Sequence, residues 1–291
     1  MATGNTTTGS LADSLETVIS SALVVREHEG VMPQLVDRVT LGVGIGLSWN
    51  EVTYDQLASA QAITENTVLD NPQQFSDTSF SVTPTVTGIE TLLTDRVRAR
   101  ITPKGYAKLG SLAQNSMQRK KNADGLAVLD GFSTSYCGAG STLTHGHIGA
   151  AVAIIRGNST EPGPEPIRCV LHSYQIKDIE DELRASIGTY TVTDGLTARV
   201  FTEGYRGKIS GAQIFEDDTI SIDTADDAKG GVFSKEAIVL VQGRAPHGEV
   251  KRAPEIGGGA NIFYLYDEYA YGERRDHWGC EIYSDASTPT S

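Results

Sequence analysis

The apolar positions near the start of the chain follow a helical period after a polar tail. Residues 1 to 10 are mostly Thr, Gly, Asn and Ser, a composition that does not bury a core. The next apolar positions at helical spacing are Leu11, Leu15, Val18, Ile19 and Ala22. With Ser10 as its N-cap, this spacing predicts a short amphipathic helix in an N-terminal arm. The arm is expected to pack either on its own chain or on another one.

A period of two then predicts a long hairpin. Residues 57 to 66 and 80 to 89 are interpreted as its two strands, because Phe80, Val82, Pro84 and Val86 alternate with Ser and Thr. The segment LDNPQQFSD between them has turn chemistry. A two-stranded hairpin is only marginally stable in water, so this one is expected to lie on its own chain or on another chain.

A long helix is predicted to begin at Thr102 and Pro103, a capping hydroxyl followed by Pro at the first helical position. The apolar positions at helical spacing behind it are Tyr106, Leu109, Ala113, Met117, Leu126 and Leu129.

Residues 96 to 121 hold no acidic side chain, and their basic ones are Arg96, Arg98, Arg100, Lys104, Lys108, Arg119, Lys120 and Lys121. In an acidic chain, such a basic segment is expected to meet an acidic surface.

The second half of the chain alternates short helices and strands, which indicates an α+β fold. LTHGHIGAAVAIIR and QIKDIEDELRAS are predicted helices, and PIRCVLHSY is a predicted buried strand. Further strands are predicted in RGKISGAQIFEDD, SKEAIVLVQG and ANIFYLYDEYAYG, with ISIDTADDAKGG as an acidic loop between them.

Composition narrows the function. The chain has 291 residues, 39% of them hydrophobic, which is enough for a folded core. Its formal net charge of −13 argues against nucleic-acid binding, although an acidic wall can still enclose DNA. Cys137, Cys169 and Cys280 are odd in number and far apart, so free thiols are expected. No apolar run approaches a membrane span, and we expect a soluble protein made inside the cell.

Candidate catalytic and ligand-binding motifs are weak. No GxSxG motif occurs, and the glycines at 42, 44 and 46 have GxGxG spacing rather than the dinucleotide fingerprint GxGxxG. His145 and His147 are interpreted as helix-start or surface residues, and a Cys169 nucleophile with His172 has little support. The acidic positions Glu216, Asp217, Asp218, Asp223, Asp226 and Asp227 lack the order of a calcium loop and are interpreted as a solvated loop. Catalytic carboxylates far apart in sequence are not excluded.

The order of these elements resembles the major capsid proteins of tailed bacteriophages, which have the Hong Kong 97 fold, across roughly residues 20 to 285. The segments most similar to that family are PIRCVLHSYQIKDIEDEL, AKGGVFSKEAIVLVQGRAP and YLYDEYAYGERRDHWGCEI. The resemblance implies a shell subunit with no catalytic, cofactor-binding or metal site. It also implies an N-terminal arm, a long hairpin called the E-loop, a peripheral domain with a spine helix, and an axial domain.

On this resemblance the N-terminal arm spans residues 1–35, and the E-loop hairpin with its flanking strands spans 36–95. The peripheral domain with the spine helix spans 96–140, and the axial domain, with strands returning to the peripheral domain, spans 141–291. Contacts between subunits are expected at Phe75, Phe80, Val82, Arg96, Arg98 and Arg100. The subunit would assemble with itself into hexamers and pentamers of an icosahedral shell around double-stranded DNA.

Further implied partners are a portal protein, a separate scaffolding protein and a decoration or cement protein. The shell would assemble in the host cytoplasm and remain in the virion. Residues 50 to 95 contain no Lys, so the covalent crosslink that some members form through an E-loop Lys is not expected. Three alternatives stay open: an encapsulin-like compartment, a tail-tube subunit, and a hydrolase with scattered carboxylates.

Overall fold

A computed structural model describes residues 30–42, 44, 46–66, 72–100, 103–187 and 207–289, with the side chains of residues 103–109 and 183–187 excepted. Its helices are α1 (Met32–Leu35), α2 (Asp95–Arg98), α3 (Pro103–Ala127), α4 (His145–Gly157) and α5 (Ser173–Ile187). Its strands in the first half are β1 (Asp37–Thr40), β2 (Trp49–Tyr54), β3 (Asp77–Val82), β4 (Thr85–Thr94) and β5 (Ser135–Cys137). Those in the second half are β6 (Ile167–Leu171), β7 (Lys208–Ile209), β8 (Ala212–Glu216), β9 (Asp227–Ser234), β10 (Ile238–Ala253), β11 (Ala260–Glu273) and β12 (Gly279–Asp285). Short 3-10 turns span Leu129–Gly131 and Asp276–Trp278.

Within the described residues the strands form three sheets. A four-stranded sheet has the order β1-β10-β11-β4, and a six-stranded sheet has the order β5-β12-β9-β6-β8-β7. The strands β2 and β3 form a separate antiparallel pair. The mixture of helices with parallel and antiparallel strands confirms the predicted α+β class.

The six-stranded sheet carries the larger part of the core. Along β6, Cys169 and Leu171 face the cluster that includes Ile148 of α4, whereas Val170 faces the opposite cluster. This alternation is what a strand buried on both faces produces. It confirms the prediction that PIRCVLHSY is a buried strand between two helices.

The helix α3 lies along the four-stranded sheet, and its start at Pro103 confirms the predicted start. Three of its buried side chains, at Ala113, Met117 and Lys121, recur every four residues and form one stripe facing the sheet. Gly125 continues that stripe: a Cβ atom there would lie 2.9 Å from Met32 and 3.0 Å from Tyr271. A glycine therefore lets α3 approach the sheet closely, although it weakens the helix.

Three sequence predictions about elements were wrong. Residues 57–66 do not form a strand, and the hairpin instead pairs β2 with β3. The predicted strand 80–89 is interrupted at Thr83 and Pro84, because Pro lacks the N–H that a ladder needs. The expected acidic loop ends at Asp226, since Asp227 already belongs to β9. The predicted helix at residues 11–22 lies outside the described residues.

Candidate assembly surface

The hairpin β2–β3 continues into an exposed segment, residues 55–66 and 72–76, which is named here the arm. The ladder runs from Trp49 opposite Val82 to Tyr54 opposite Asp77. It ends with a backbone hydrogen bond of 3.1 Å from the Asp55 N–H to the Ser76 carbonyl. Beyond that point every described residue from 55 to 66 and from 72 to 76 is exposed. The arm therefore has no core of its own.

Large apolar side chains are concentrated on this exposed arm and at the end of β2 that leads into it. Their exposed fractions are 50% for Val52, 61% for Tyr54, 52% for Leu57, 60% for Ile63 and 67% for Phe75. Tyr54 and Phe75 stack on each other with ring centroids 4.8 Å apart. Single exposed apolar residues are ordinary, but a group of them on a projecting arm marks a surface for another molecule.

The base of the hairpin, in contrast, packs on its own chain. Val82 is only 6% exposed and joins Val239 and Val241 in a small core cluster. Phe80 meets Trp49 edge to face at 6.1 Å. A Cβ atom on Gly272 would lie 2.4 Å from Val82 and 2.8 Å from Phe80, so the absence of a side chain at 272 admits both of them.

One arginine fixes this base. The Nε atom of Arg274 lies 2.8 Å from Glu51, and its Nη2 atom lies 3.0 Å from Asp37. Its guanidinium carbon is 5.6 Å from the centroid of the Trp49 ring. The Arg274 side chain is only 10% exposed, so these pairs are less screened than surface ion pairs. The hairpin therefore leaves the body from a fixed point.

The six side chains expected at subunit contacts divide into two groups. Phe80 and Val82 pack on their own chain, and Val82 keeps little surface for a neighbour. Phe75 lies on the arm, while Arg96, Arg98 and Arg100 are exposed on and just after α2. The helix α2 is capped by the Thr94 hydroxyl, which accepts from the Val97 N–H at 3.5 Å.

The basic segment 96–121 is not exposed throughout. Arg119 and Lys120 are exposed on α3, and Lys120 pairs with Asp124 at 2.5 Å, one helical turn away. Lys121 is only 7% exposed and lies 3.2 Å from Asp267 inside the chain. The side chains of Lys104 and Lys108 lie outside the described residues.

The arm has the opposite charge. Residues 50 to 95 contain neither Lys nor Arg, and Asp55 and Glu65 are exposed on the arm, as is Asp77 next to it. Because the arm is acidic and the surface near α2 is basic, contact between the arm of one copy and the α2 surface of another is favoured over contact between two arms or between two α2 surfaces.

The candidate catalytic groups have structural roles in the described residues. His147 accepts a hydrogen bond from the Thr144 N–H at 3.2 Å and so helps to cap α4, and His145 pairs with Glu182 at 2.8 Å. Cys169 is fully buried, and burial raises the pKa of its thiol well above the usual range. Among the described residues, no group of three His, Cys, Asp or Glu side chains is placed to hold a metal ion.

Two aspartates of the acidic cluster are not solvated, contrary to expectation. Asp227 is 2% exposed and accepts from the Gly140 N–H at 2.7 Å. Asp217 is 0% exposed and accepts from the Asn122 side chain at 2.7 Å. The sequence pattern did not reveal this, because the partners lie 87 and 95 residues away along the chain.

Solved structures similar to this one include capsids of bacteriophages. The capsid of cyanophage P-SCSP1u matches with a TM-score of 0.71 at 14% identity, over 97% of this chain and 96% of that one. The cyanophage Pam1 capsid matches with a TM-score of 0.71 at 11% identity, over 99% of this chain and 100% of that one. The head of Helicobacter pylori bacteriophage KHP40 matches with a TM-score of 0.72 at 11% identity, over 93% and 95%.

These matches cover nearly the whole chain, so the chain has the fold of those phage capsids. The resemblance seen in the sequence is confirmed at the level of fold. No protein-family model matches the chain, and no curated protein matches it in sequence.

Proposed function

We propose that this chain is the major capsid protein of a tailed bacteriophage, a subunit that assembles with itself into hexamers and pentamers of an icosahedral shell. The observation that carries the proposal is the arm. It is anchored by Arg274 and Val82, and it projects Tyr54, Leu57 and Phe75 into solvent. The free energy is lowered only when another molecule covers this apolar surface and removes it from water. A second copy of the chain is the partner that a shell supplies.

The proposed domains follow the elements. Residues 1–35 are the N-terminal arm, and residues 36–95 are the E-loop with its flanking strands. The peripheral domain, residues 96–140, contains α3 as the spine helix. Residues 141–291 form the axial domain and contribute β10 and β11 to the four-stranded sheet beside α3.

The proposed contact places the arm of one copy across the next copy. Phe75 and the stacked Tyr54 supply apolar area, and Arg96, Arg98 and Arg100 face acidic surface on a neighbour. Contacts of this kind are individually weak, about −4 kcal/mol for a millimolar affinity. Weak contacts let wrongly placed subunits dissociate, and multivalency makes the closed shell stable.

The proposed contents are double-stranded DNA, held by confinement rather than by binding, because the chain carries a net charge of −13. A portal protein and a separate scaffolding protein are the further partners, with a decoration protein as an added one. The shell would assemble in the host cytoplasm and persist in the virion as a structural, non-catalytic component. None of the described helices is both long and apolar enough to span a membrane.

The arm itself provides the test. Phe75→Asp places a charge where the proposal requires a desolvated aromatic ring, and loss of such a hot spot costs about 2 kcal/mol, or about thirtyfold in association. Gln73→Asp is the matched control, because it adds the same charge to an exposed residue on the same arm. Sedimentation of both variants beside the wild type measures the fraction in particles.

We expect Phe75→Asp to remain as folded subunits and Gln73→Asp to form particles. Equal particle yields from the two variants would remove the arm from the contact. A stable wild-type monomer that hydrolyses a substrate and never forms particles would overturn the proposed function in favour of an enzyme.

A further inference from the structure

The face of the four-stranded sheet turned away from α3 carries a row of stacked rings. The rings of Tyr264 and Tyr266 are nearly parallel, with centroids 5.8 Å apart. His247 continues the row at 5.6 Å from Tyr266. These residues face away from α3, because the side chains that meet α3 are at the alternate positions Asp267 and Tyr269.

Two carboxylates flank Tyr264, the ring at one end of this row. Tyr264 on β11 lies directly opposite Glu249 on β10 and Glu90 on β4. Residues that pair in this way point to the same face of a sheet, so one ring stands between two acidic groups. Both glutamates are exposed. Burial and the neighbouring Glu90 raise the pKa of Tyr264, so its hydroxyl remains protonated.

The β4 residues beside the rings, Val86, Gly88 and Glu90, are exposed. Gly88 pairs with Tyr266, and a Cβ atom there would lie 2.8 Å from the Tyr266 ring. The ring occupies the space that a side chain would need. Val86, two residues earlier on the same face, is 67% exposed. Glu90, Tyr264 and Glu249 are named here the acidic row.

Arginine is the side chain that this chemistry fits. Its planar guanidinium stacks on aromatic rings and forms forked hydrogen bonds with carboxylates. Tyr and Arg are also the residues enriched where protein interfaces are strongest. The acidic row offers a ring and two carboxylates on rigid strands, so little ordering is needed on binding.

The same chain carries exposed arginines on and just after α2, which follows the end of β4. Arg96, Arg98 and Arg100 lie on and just after α2, and are named here the basic turn. The Asp95 N–H donates to the Gly259 carbonyl at 2.8 Å, and Asp95 accepts from Arg252 at 2.6 Å. These bonds hold α2 at the end of the sheet. Glu90 is four residues before Thr94, about 13 Å back along β4.

We propose that the basic turn of one copy docks on the acidic row of a second copy. The proposal rests on the proposed function and names the acidic surface that Arg96, Arg98 and Arg100 meet. The acidic row and the basic turn are different surfaces of the same chain, so the contact between two copies is head to tail. Contacts of this type close into rings when the rotation between copies is suitable.

The acidic row is a better partner for the basic turn than the arm is. The arm carries Asp55 and Glu65 on exposed segments outside any strand, and their side chains would have to be ordered on binding. The acidic row holds its carboxylates on paired strands, with an aromatic ring between them. Preorganised groups lose less conformational entropy when a contact forms.

Charge reversal and exchange test the pairing. One variant carries Glu90→Arg with Glu249→Arg, another carries Arg96→Glu with Arg100→Glu, and a third carries all four changes. Glu236→Arg is the control, because Glu236 is an exposed carboxylate outside the acidic row. Sedimentation velocity over a range of concentrations measures association, and electron microscopy measures shell formation.

We expect each two-site variant to associate about tenfold more weakly, and the four-site variant to recover to within about threefold of the wild type. The control should associate like the wild type. Circular dichroism checks folding, and Glu90→Gln with Glu249→Gln replaces the reversed pair if that pair does not fold.

Two results would overturn the pairing: two-site variants that associate normally, or a four-site variant that recovers nothing. Normal shells from every variant would remove the pairing and leave the proposed shell intact. Association that responds to charge exchange without any closed shell would keep the pairing and overturn the shell.

Discussion

A single buried amide joins three parts of the chain. Asn122 on α3 accepts from the Met32 N–H at 3.0 Å and donates to Asp217 and Thr219 at 2.7 Å each. A Cβ atom on Gly30 would lie 2.2 Å from the Asn122 side chain. Residues 30–32 are thus fixed against α3. Sequence patterns gave no sign of this, because a polar residue in a helix is ordinarily solvated.

Asn122→Ala removes these bonds and leaves the buried Asp217 carboxylate without one of its donors. Since an unsatisfied buried polar group costs about 1–3 kcal/mol, we expect the free energy of unfolding to fall by about 3 kcal/mol. Urea denaturation measures the change. Gln114→Ala, an exposed site on the same helix, should alter stability by less than about 0.5 kcal/mol. Similar losses in both variants would contradict the account.

The three thiols differ in burial. Cys169 and Cys280 are buried, and burial raises the pKa of Cys280 to about 11. Cys137 is half-buried, and its pKa is also raised, by burial first and then by nearby Asp178 and Asp227. Because the thiolate is the reactive form, a disulfide reagent at pH 8 should label Cys137 alone, and more slowly than a free thiol.

The labelling rate should increase with pH as the thiolate fraction grows, and Cys137→Ser should abolish it in the native protein. Mass spectrometry of the labelled peptides identifies the site. Rapid labelling of Cys169 before unfolding would show that its strand opens, against the packing described.

At the scale of elements, hydrophobic periodicity predicted those helices and strands whose apolar side packs within the same chain. The helices α3, α4 and α5 and the strand β6 have their apolar sides on the same chain, so their sequences state the period clearly. Residues 57–66 were predicted as a strand, yet they are exposed and do not form one. Under the proposed function, a pattern that serves contact with another copy can resemble a strand in sequence without forming one in the isolated chain.

The hairpin base offers a test at this scale. Arg274→Met leaves Glu51 and Asp37 without their shared cation, and we expect a loss of about 1–2 kcal/mol because both carboxylates are partly exposed. Amide hydrogen exchange should accelerate in β2 and β3 more than in β6. Arg244→Met, an exposed arginine on β10, should leave exchange in the hairpin unchanged. Uniform acceleration across all strands would instead indicate global destabilisation.

At the scale of the whole molecule, the order of elements carried more information than residue identity. Capsid structures only 11–14% identical to this chain share its fold over nearly its full length. A shared fold at such low identity is expected when a core needs volume and polarity rather than particular residues. Contacts between copies depend on individual side chains, so they could not be predicted from order alone.

Electron microscopy of the full chain, expressed alone and with a scaffolding protein, tests the central claim most directly. The account predicts closed icosahedral particles in at least one of the two conditions, with the arm of each subunit covered by a neighbour. Discrete monomers or dimers in both conditions, or open tubes in place of closed shells, would contradict it.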